Sequence, residues 1–409
     1  DISSLNGGTI NRGISFTGFS SLEGGTEVDS FNCNAGSVRQ VNGAGGTNSV
    51  TIKNAVVTGD DINITNAALA LNADVTTGGG FGSSGGTITL GANIFTASND
   101  VTFGDNVVLE ADIQVDTGSS SGNILFTGTV DGDAADSQSL TLSAGTGQIV
   151  FSGDVGSPRL DALDITSAGG VQADGTINAN TFNINNGGAI NLNADVTLID
   201  GFSGQGDSFD NTGALVHAGA GDIYIRTTGN ITVGGLSAPN DINIISTAGA
   251  IFDDQNNITE IATTNVGGSL ALNAINGIGS GYALETQVSN LDARSASGDI
   301  NIDEHDDIIL TNVNTIGNIY IEADDDIRAS DVTAGGGNTI DLHSIDGNIR
   351  LGTVSAINGT INLTAGRDID YGKFTAGLAN ITASTIGLNA PVTADVSNVN
   401  LYLTLSGEV

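Results

Sequence analysis

Methionine and tryptophan are absent from the 409 residues, proline occurs three times, cysteine once, and aromatics make up 4%. With Cys33 alone, no disulfide can form within the chain. Burial must therefore come mostly from Ile, Leu, Val and Ala, which pack as thin layers and not as one thick aromatic core. Basic residues are scarce: 10 Lys and Arg stand against 46 Asp and Glu, for a formal net charge of -36. Phosphate backbones and anionic lipid surfaces would be repelled, which excludes nucleic-acid binding as a main role. No run of 18 apolar residues exists, so nothing spans a membrane as an apolar helix, and no basic-then-apolar signal segment opens the chain. The lack of any Met marks it as a processed product or a portion of something longer.

What the chain has instead is repetition. A five-residue phrase, a Gly, Asn or Asp followed by polar-apolar alternation, recurs as GDINI at 298–302, GNIYI at 317–321, NTIDL at 338–342, GNIRL at 347–351 and GTINL at 359–363. Siblings include DDINI at 60–64, GTITL at 86–90, GAINL at 188–192 and GDIYI at 221–225. Each reads as a short strand entered through a turn residue, and periodicity of this kind sets the architecture before any single residue is weighed. β-branched residues at regular strand positions argue against disorder.

The spacing converts the phrases into a coil. Ile300, Ile308, Ile319, Ile327, Ile340, Ile349, Ile361, Ile369 and Ile381 are separated by alternating short and long steps, so that two steps make one turn of 19 to 21 residues. Ile223, Ile231, Ile242 and Ile251 keep the same beat. A strand, a tight corner and another strand cannot bury their own apolar face, but stacked turns bury a continuous column. Antiparallel meanders would need reversing hairpins, and helical apolar sets do not persist. The expected fold is all-β, a single-stranded parallel β-helix solenoid of about 20 residues per turn, on the order of 20 turns stacked into a rod. Residues 1–52 read as a glycine-rich opening segment of β-helix or β-roll-like turns, and 53–409 as a continuous parallel β-helix. The glycine-rich stretches at 78–86, 117–122 and 201–213 read as loops leaving the coil, and 251–298, with its weaker register, as containing a longer turn.

At this point the chain resembles the filamentous-haemagglutinin-type bacterial surface adhesins, a large repetitive exoprotein family. The resemblance lies in GDINI and EHDDIIL within 298–310, GNIYI and ADDDIRA within 317–329, and GTINLTAGRDIDY at 359–371, and covers roughly residues 50 to 400. The phrase GISFTGFSSLEGG at 13–25 is similar to glycine-rich phrases of large adhesin-like proteins. The resemblance implies a secreted, right-handed parallel β-helix on the bacterial cell surface, exported by a two-partner or autotransporter route. That family's amino-terminal secretion module, with its Asn-rich motif, is not evident here. Near-absence of cysteine suits such a setting.

The candidate chemistry is acidic. Asp307, Asp326, Asn348 and Asp368 precede Ile308, Ile327, Ile349 and Ile369, so they stack at one strand spacing. Carboxylates this close can share a proton or a cation such as Ca2+, or can simply cap the corners where Asp and Asn are favoured. Arg328 and Arg350 follow two of these isoleucines, Asp370 continues their column and Arg367 adjoins Asp368; a lyase would want such cations, and surface charge pairing is the simpler account. GGTEVDSFN at 24–32 follows a calcium-binding nonapeptide pattern with Glu27 in place of its third glycine, which makes Asp29 a fourth metal candidate beside Asp307, Asp326 and Asp368. The next copy, at 45–53, offers Asn48 and no Asp there, so a glycine-rich corner before a strand is the favoured account of the phrase. His217, His305 and His343 are too scattered for a metal site and read as solvent-facing strand residues. Asn-x-Thr triplets at Asn63, Asn230, Asn257, Asn358, Asn362 and Asn380 read as Asn ladders bonding turn to turn. Cys33 is a small buried residue or a lone coupling thiol.

These readings lead to a structural and adhesive extracellular rod, a filament subunit or shaft segment, that is not an enzyme and needs no cofactor, with Ca2+ as the open exception. Its expected partners are copies of itself or adjoining segments through end-to-end strand stacking, surface glycans, or neighbouring cell surfaces. The alternatives are a polysaccharide lyase or hydrolase of β-helical type and a non-catalytic glycan-binding module.

Overall fold

Alternation is what these phrases encode, and alternation is what the chain adopts. In the computed structural model, residues 21–33, 39–256, 258–370, 373–383, 385–387 and 395–403 are described. Among them there is no helix, and thus none long and apolar enough to cross a membrane. Residues 13–20 of the opening phrase, Asn257 and residues 404–409 lie outside the described set, as does the side chain of Cys33. Nearly every strand is three to six residues long and pairs in parallel with strands one turn before and one turn after it. The protein is a parallel β-solenoid of about 20 residues per turn.

By contact clustering the chain falls into two units, one comprising Asp1–Ile199 with Ser203–Gly206, the other Asp200–Phe202 with Asp207–Val409. In the first unit, Val50, Leu69, Ile88, Val107, Val130, Val155, Ile177 and Val196 face one another from successive turns. A second column runs through Val56, Val75, Ile94, Val115, Leu142, Ile165 and Ile184. A third carries aromatic rings: Phe126 stacks between Phe103, at 4.8 Å between centroids, and Phe151, at 5.2 Å. All of these side chains are shut from solvent, at ~1.5–3 kcal/mol per large aliphatic buried.

The second unit keeps the isoleucine columns. Ile300, Ile319, Ile340 and Ile361 are in register, as are Ile308, Ile327, Ile349 and Ile369. Ile381 departs from the expected row: a register shift after Ala356 sets Ala379 opposite Ile361 and pairs Ile381 with Leu363. The long step of each turn also hides a third apolar rung. Val313, Val332 and Val354 line up inside it, as do Val216, Leu236 and Ile261 earlier in the unit.

Two of the three glycine-rich stretches belong to the coil. Phe81–Ser83, inside 78–86, pairs with strands on both sides, because Phe81 supplies the inward side chain while its glycines fill the corners. Phe202–Gly206 and Ser208–Asp210 are strands as well, and Phe209 pairs with Ile231. The stretch 117–122 does run as a loop between strands. Corner glycines answer a need for room: a Cβ on Gly188 would lie 1.6 Å from the carbonyl oxygen of Gly169 in the preceding turn. The longer turn expected in 251–298 is present, with Ile251 bridging Ile278 and Ile278 bridging Ile300.

Candidate functional site

Aspartate at a corner has a main-chain amide above it. Asp307 Oδ1 accepts the N–H of Asp326 at 2.8 Å, Asp326 Oδ1 accepts both the N–H of Asn348 at 2.7 Å and its Nδ2 at 2.8 Å, and Asn348 Oδ1 accepts the N–H of Asp368 at 3.2 Å. The predicted stack of Asp307, Asp326 and Asp368 therefore exists, and the carboxylates of Asp307 and Asp326 clasp one turn to the next. Asp29 instead closes its own corner, accepting the Gly25 N–H at 2.7 Å. The turn beside it is filled by Asn48, whose buried amide donates to the carbonyls of Gly43, Gly45 and Asn66 and accepts the Asp29 N–H.

The remaining candidates are dispersed on the outer faces. Arg350 reaches Asp370 at 4.0 Å, with Arg328 beside it in the ladder. Arg367 donates its main-chain N–H to Gly347. His217 is on the strand Leu215–Ala218 and pairs with Ser237. His343 Nδ1 lies 2.6 Å from Glu322 Oε2, and His305 Nδ1 3.8 Å from Asp324, so the histidines sit among acids on different turns. Of the Asn-x-Thr positions, Asn362 and Asn380 form a ladder: Asn400 donates to Asn380 at 3.0 Å, Asn380 to Asn362 at 2.9 Å, and Asn362 to Asp341 at 3.3 Å, whereas Asn230 accepts the Ala250 main-chain N–H.

The unusual chemistry lies where the register is weakest. The inward column that starts with Val216, Leu236 and Ile261 continues through Thr286 and Glu304 before returning to Ala323. Glu304 is 0% exposed; its carboxylate accepts the Thr286 hydroxyl at 2.7 Å and the Val288 N–H at 3.0 Å. Burial pushes this carboxyl up to about 8, against the pull of the Thr286 bond.

One residue earlier on each strand runs a column of acids. Glu285 pairs with Asp303, Asp303 with Glu322 and Glu322 with His343, while Glu260 and Glu285 exchange main-chain and side-chain bonds. Asp253, from the end of the strand Ile251–Asp253, closes on this column. One carboxylate oxygen each from Asp253, Glu260 and Glu285 lie within 4.8 Å of one another. Glu260 is 1% exposed and Asp253 6%. Desolvation, then contact with the Glu285 carboxyl, drives Glu260 up to about 10; desolvation also raises Asp253, Glu285 and Asp303.

Sequence reasoning passed over these three acids, although a signal existed for one of them. In Ile-Phe-Asp at 251–253 the alternation that buries Ile251 also turns Asp253 inward, just as Ile-Asn-Ile-Asp-Glu at 300–304 turns Glu304 inward. Comparison of the chain with protein-family models, curated proteins and solved structures found no match. The fold class, a parallel β-solenoid, rests on the ladder itself.

Proposed function

We propose that the chain is a segment of an extracellular structural and adhesive solenoid of the bacterial surface, a filament subunit or part of a shaft, whose partners are further turns of its own kind and surface glycans. The observation that carries this reading is the use made of the corner carboxylates. Of the residues an acid-base enzyme would draw on, Asp307 and Asp326 have carboxylates that accept main-chain amides of the next turn, and Asp368 donates its own amide to Asn348. Strand pairing from turn to turn gives stiffness without a thick core, and unpaired strand edges can accept more strand. The loops around 298–370 are short, whereas enzyme sites on rigid scaffolds draw on long ones.

The test is imaging joined to assay. Purified chain viewed by negative-stain electron microscopy over a range of concentrations is expected to show end-to-end assemblies, and a glycan array separates adhesion from pure scaffolding. Isolated particles at every concentration, or release of unsaturated sugars from pectin or alginate, would overturn the reading.

A further inference from the structure

Buried side-chain oxygens that no donor of the chain reaches are few among the described residues, and they are concentrated. Besides Ser83 and Gln138 they are Asp253 Oδ1, Asn256 Oδ1, Glu260 Oε1, Thr263 Oγ1 and Glu285 Oε2, all within residues 253–285. Three belong to the carboxylates that converge within 4.8 Å. The other oxygens are spoken for: Asp253 Oδ2 accepts the Gln255 N–H at 2.7 Å, and Glu260 Oε2 the Glu285 N–H at 2.9 Å. Asp253 and Glu260 are thus each fixed by one oxygen with the second left over, on side chains that are more than nine-tenths buried.

Three carboxylates so close and so dry cannot all remain charged without a counter-charge. No Lys or Arg is in an ion pair with any of them among the described residues. One proton would join two of the oxygens and leave the third. A divalent cation answers all three and leaves a net charge near that of a single carboxylate. Two ligands on opposite sides of a Ca2+ ion are separated by about 4.6–5.2 Å, twice the metal–oxygen distance, so three oxygens within 4.8 Å of one another fit inside the shell of such an ion. We propose that Asp253, Glu260 and Glu285 bind a hard divalent cation of the Ca2+ class, locking the long turn between Ile251 and Ile278 to the strand Leu284–Gln287. Asn256 and Thr263, with oxygens of the same kind on the same stretch, are the nearest further donors in sequence. The site stands independently of the adhesin reading, since it depends on these side chains alone.

The experiment is calorimetric titration of the full chain with Ca2+ at near-physiological salt, where exposed carboxylates bind weakly. One saturable site per chain is expected, weakened at least ~10-fold by Glu260→Gln and unaffected by Asp326→Asn. Equal binding by Glu260→Gln and the parent overturns the proposal. So does the absence of a saturable site in the parent, together with an infrared band of protonated carboxyl that disappears in Glu260→Gln, which would mark a shared proton. Should Glu260→Gln not fold, Asp253→Asn replaces it. A Tb3+ anomalous-scattering peak among the three carboxyls in crystals of the unaltered chain then supports the site, and a peak elsewhere only refutes it. Neither result bears on filament formation.

Discussion

Asp100 in the first unit and Asp326 in the second do the same work with the same bonds. Each carboxylate accepts the main-chain N–H and the side-chain Nδ2 of an asparagine one turn on, Asn123 at 2.8 and 3.0 Å and Asn348 at 2.7 and 2.8 Å. That asparagine then accepts the next turn's amide, from Gln148 in one case and Asp368 in the other. The interiors differ. The first unit stacks Phe103, Phe126 and Phe151 along one inner column, whereas the second admits Thr286 and Glu304 into an inner row of the other sheet and sets Asp253, Glu260 and Glu285 beside it. Carboxyl chemistry follows suit. In the first unit Asp136 is held below its ordinary value by a hydrogen bond from Arg159, while in the second Glu260, Glu285, Asp303 and Glu304 are driven upward by burial. The corner device is generic, and what a turn encloses can change without disturbing it.

The sharpest way to separate the interiors is to hollow one out. Phe126→Ala in the aromatic column should cost ~3–5 kcal/mol, against ~2–5 kcal/mol for Ile319→Ala in the isoleucine column, read from denaturant unfolding. A loss below ~1 kcal/mol for Phe126→Ala would mean that the ring stack is not a packed core.

A pH series comes next. Glu304 keeps its proton to about pH 8 in the folded chain, whereas a carboxyl in the unfolded chain releases it near the ordinary 4.5. Between those values the folded state binds the extra proton, so stability falls as pH rises through the window, by ~1.4 kcal/mol for each pKa unit of difference. In chelator, hydrogen exchange corrected for its intrinsic rate should show the second unit losing protection from about pH 5 to 9. Glu304→Gln, which keeps an acceptor for the Val288 N–H, should reduce that loss and leave the part due to Glu260 and its neighbours; an unchanged slope would place the titration in those groups alone.

Smaller effects are expected at the corners. Gly188→Ala forces a methyl against the Gly169 carbonyl and should cost ~1–3 kcal/mol, with protection lost locally in the first unit. Asp100→Ala and Asp326→Ala each remove one clasp and should cost about 1 kcal/mol apiece, by thermal or denaturant unfolding. Clearly unequal costs would show that the clasp depends on the interior beneath it.

Much of the coil was legible in the chain because isoleucine and a turn residue recur at fixed intervals, and ladder geometry makes interval into contact. Ile300, Ile319, Ile340 and Ile361 are opposite one another for that reason, and the Asn362–Asn380–Asn400 ladder follows from the same register. The rung at Val313, Val332 and Val354 was hidden because it continues the same unbroken strand as Ile308, Ile327 and Ile349, with no repeated turn phrase to announce it. The stretches 78–86 and 201–213 were misjudged as loops because glycine content was weighed above the single inward phenylalanines that hold those strands in the ladder. The acid cluster was illegible as a set. Its members come from a strand end, a loop exit and a strand start, joined only by a turn whose length breaks the 19-residue interval seen between Ile300 and Ile319.

The clasp has one more implication. Because the clasps at Asp100, Asn123, Asp307, Asp326 and Asn348 each close on the next coil, a stretch running from one clasping aspartate to the next is a self-contained module. Duplicating or deleting such a module in the encoding DNA leaves every surviving bond with a partner of the same kind. Length is then a quantity that heredity can adjust in whole steps, with no new folding problem posed by each addition.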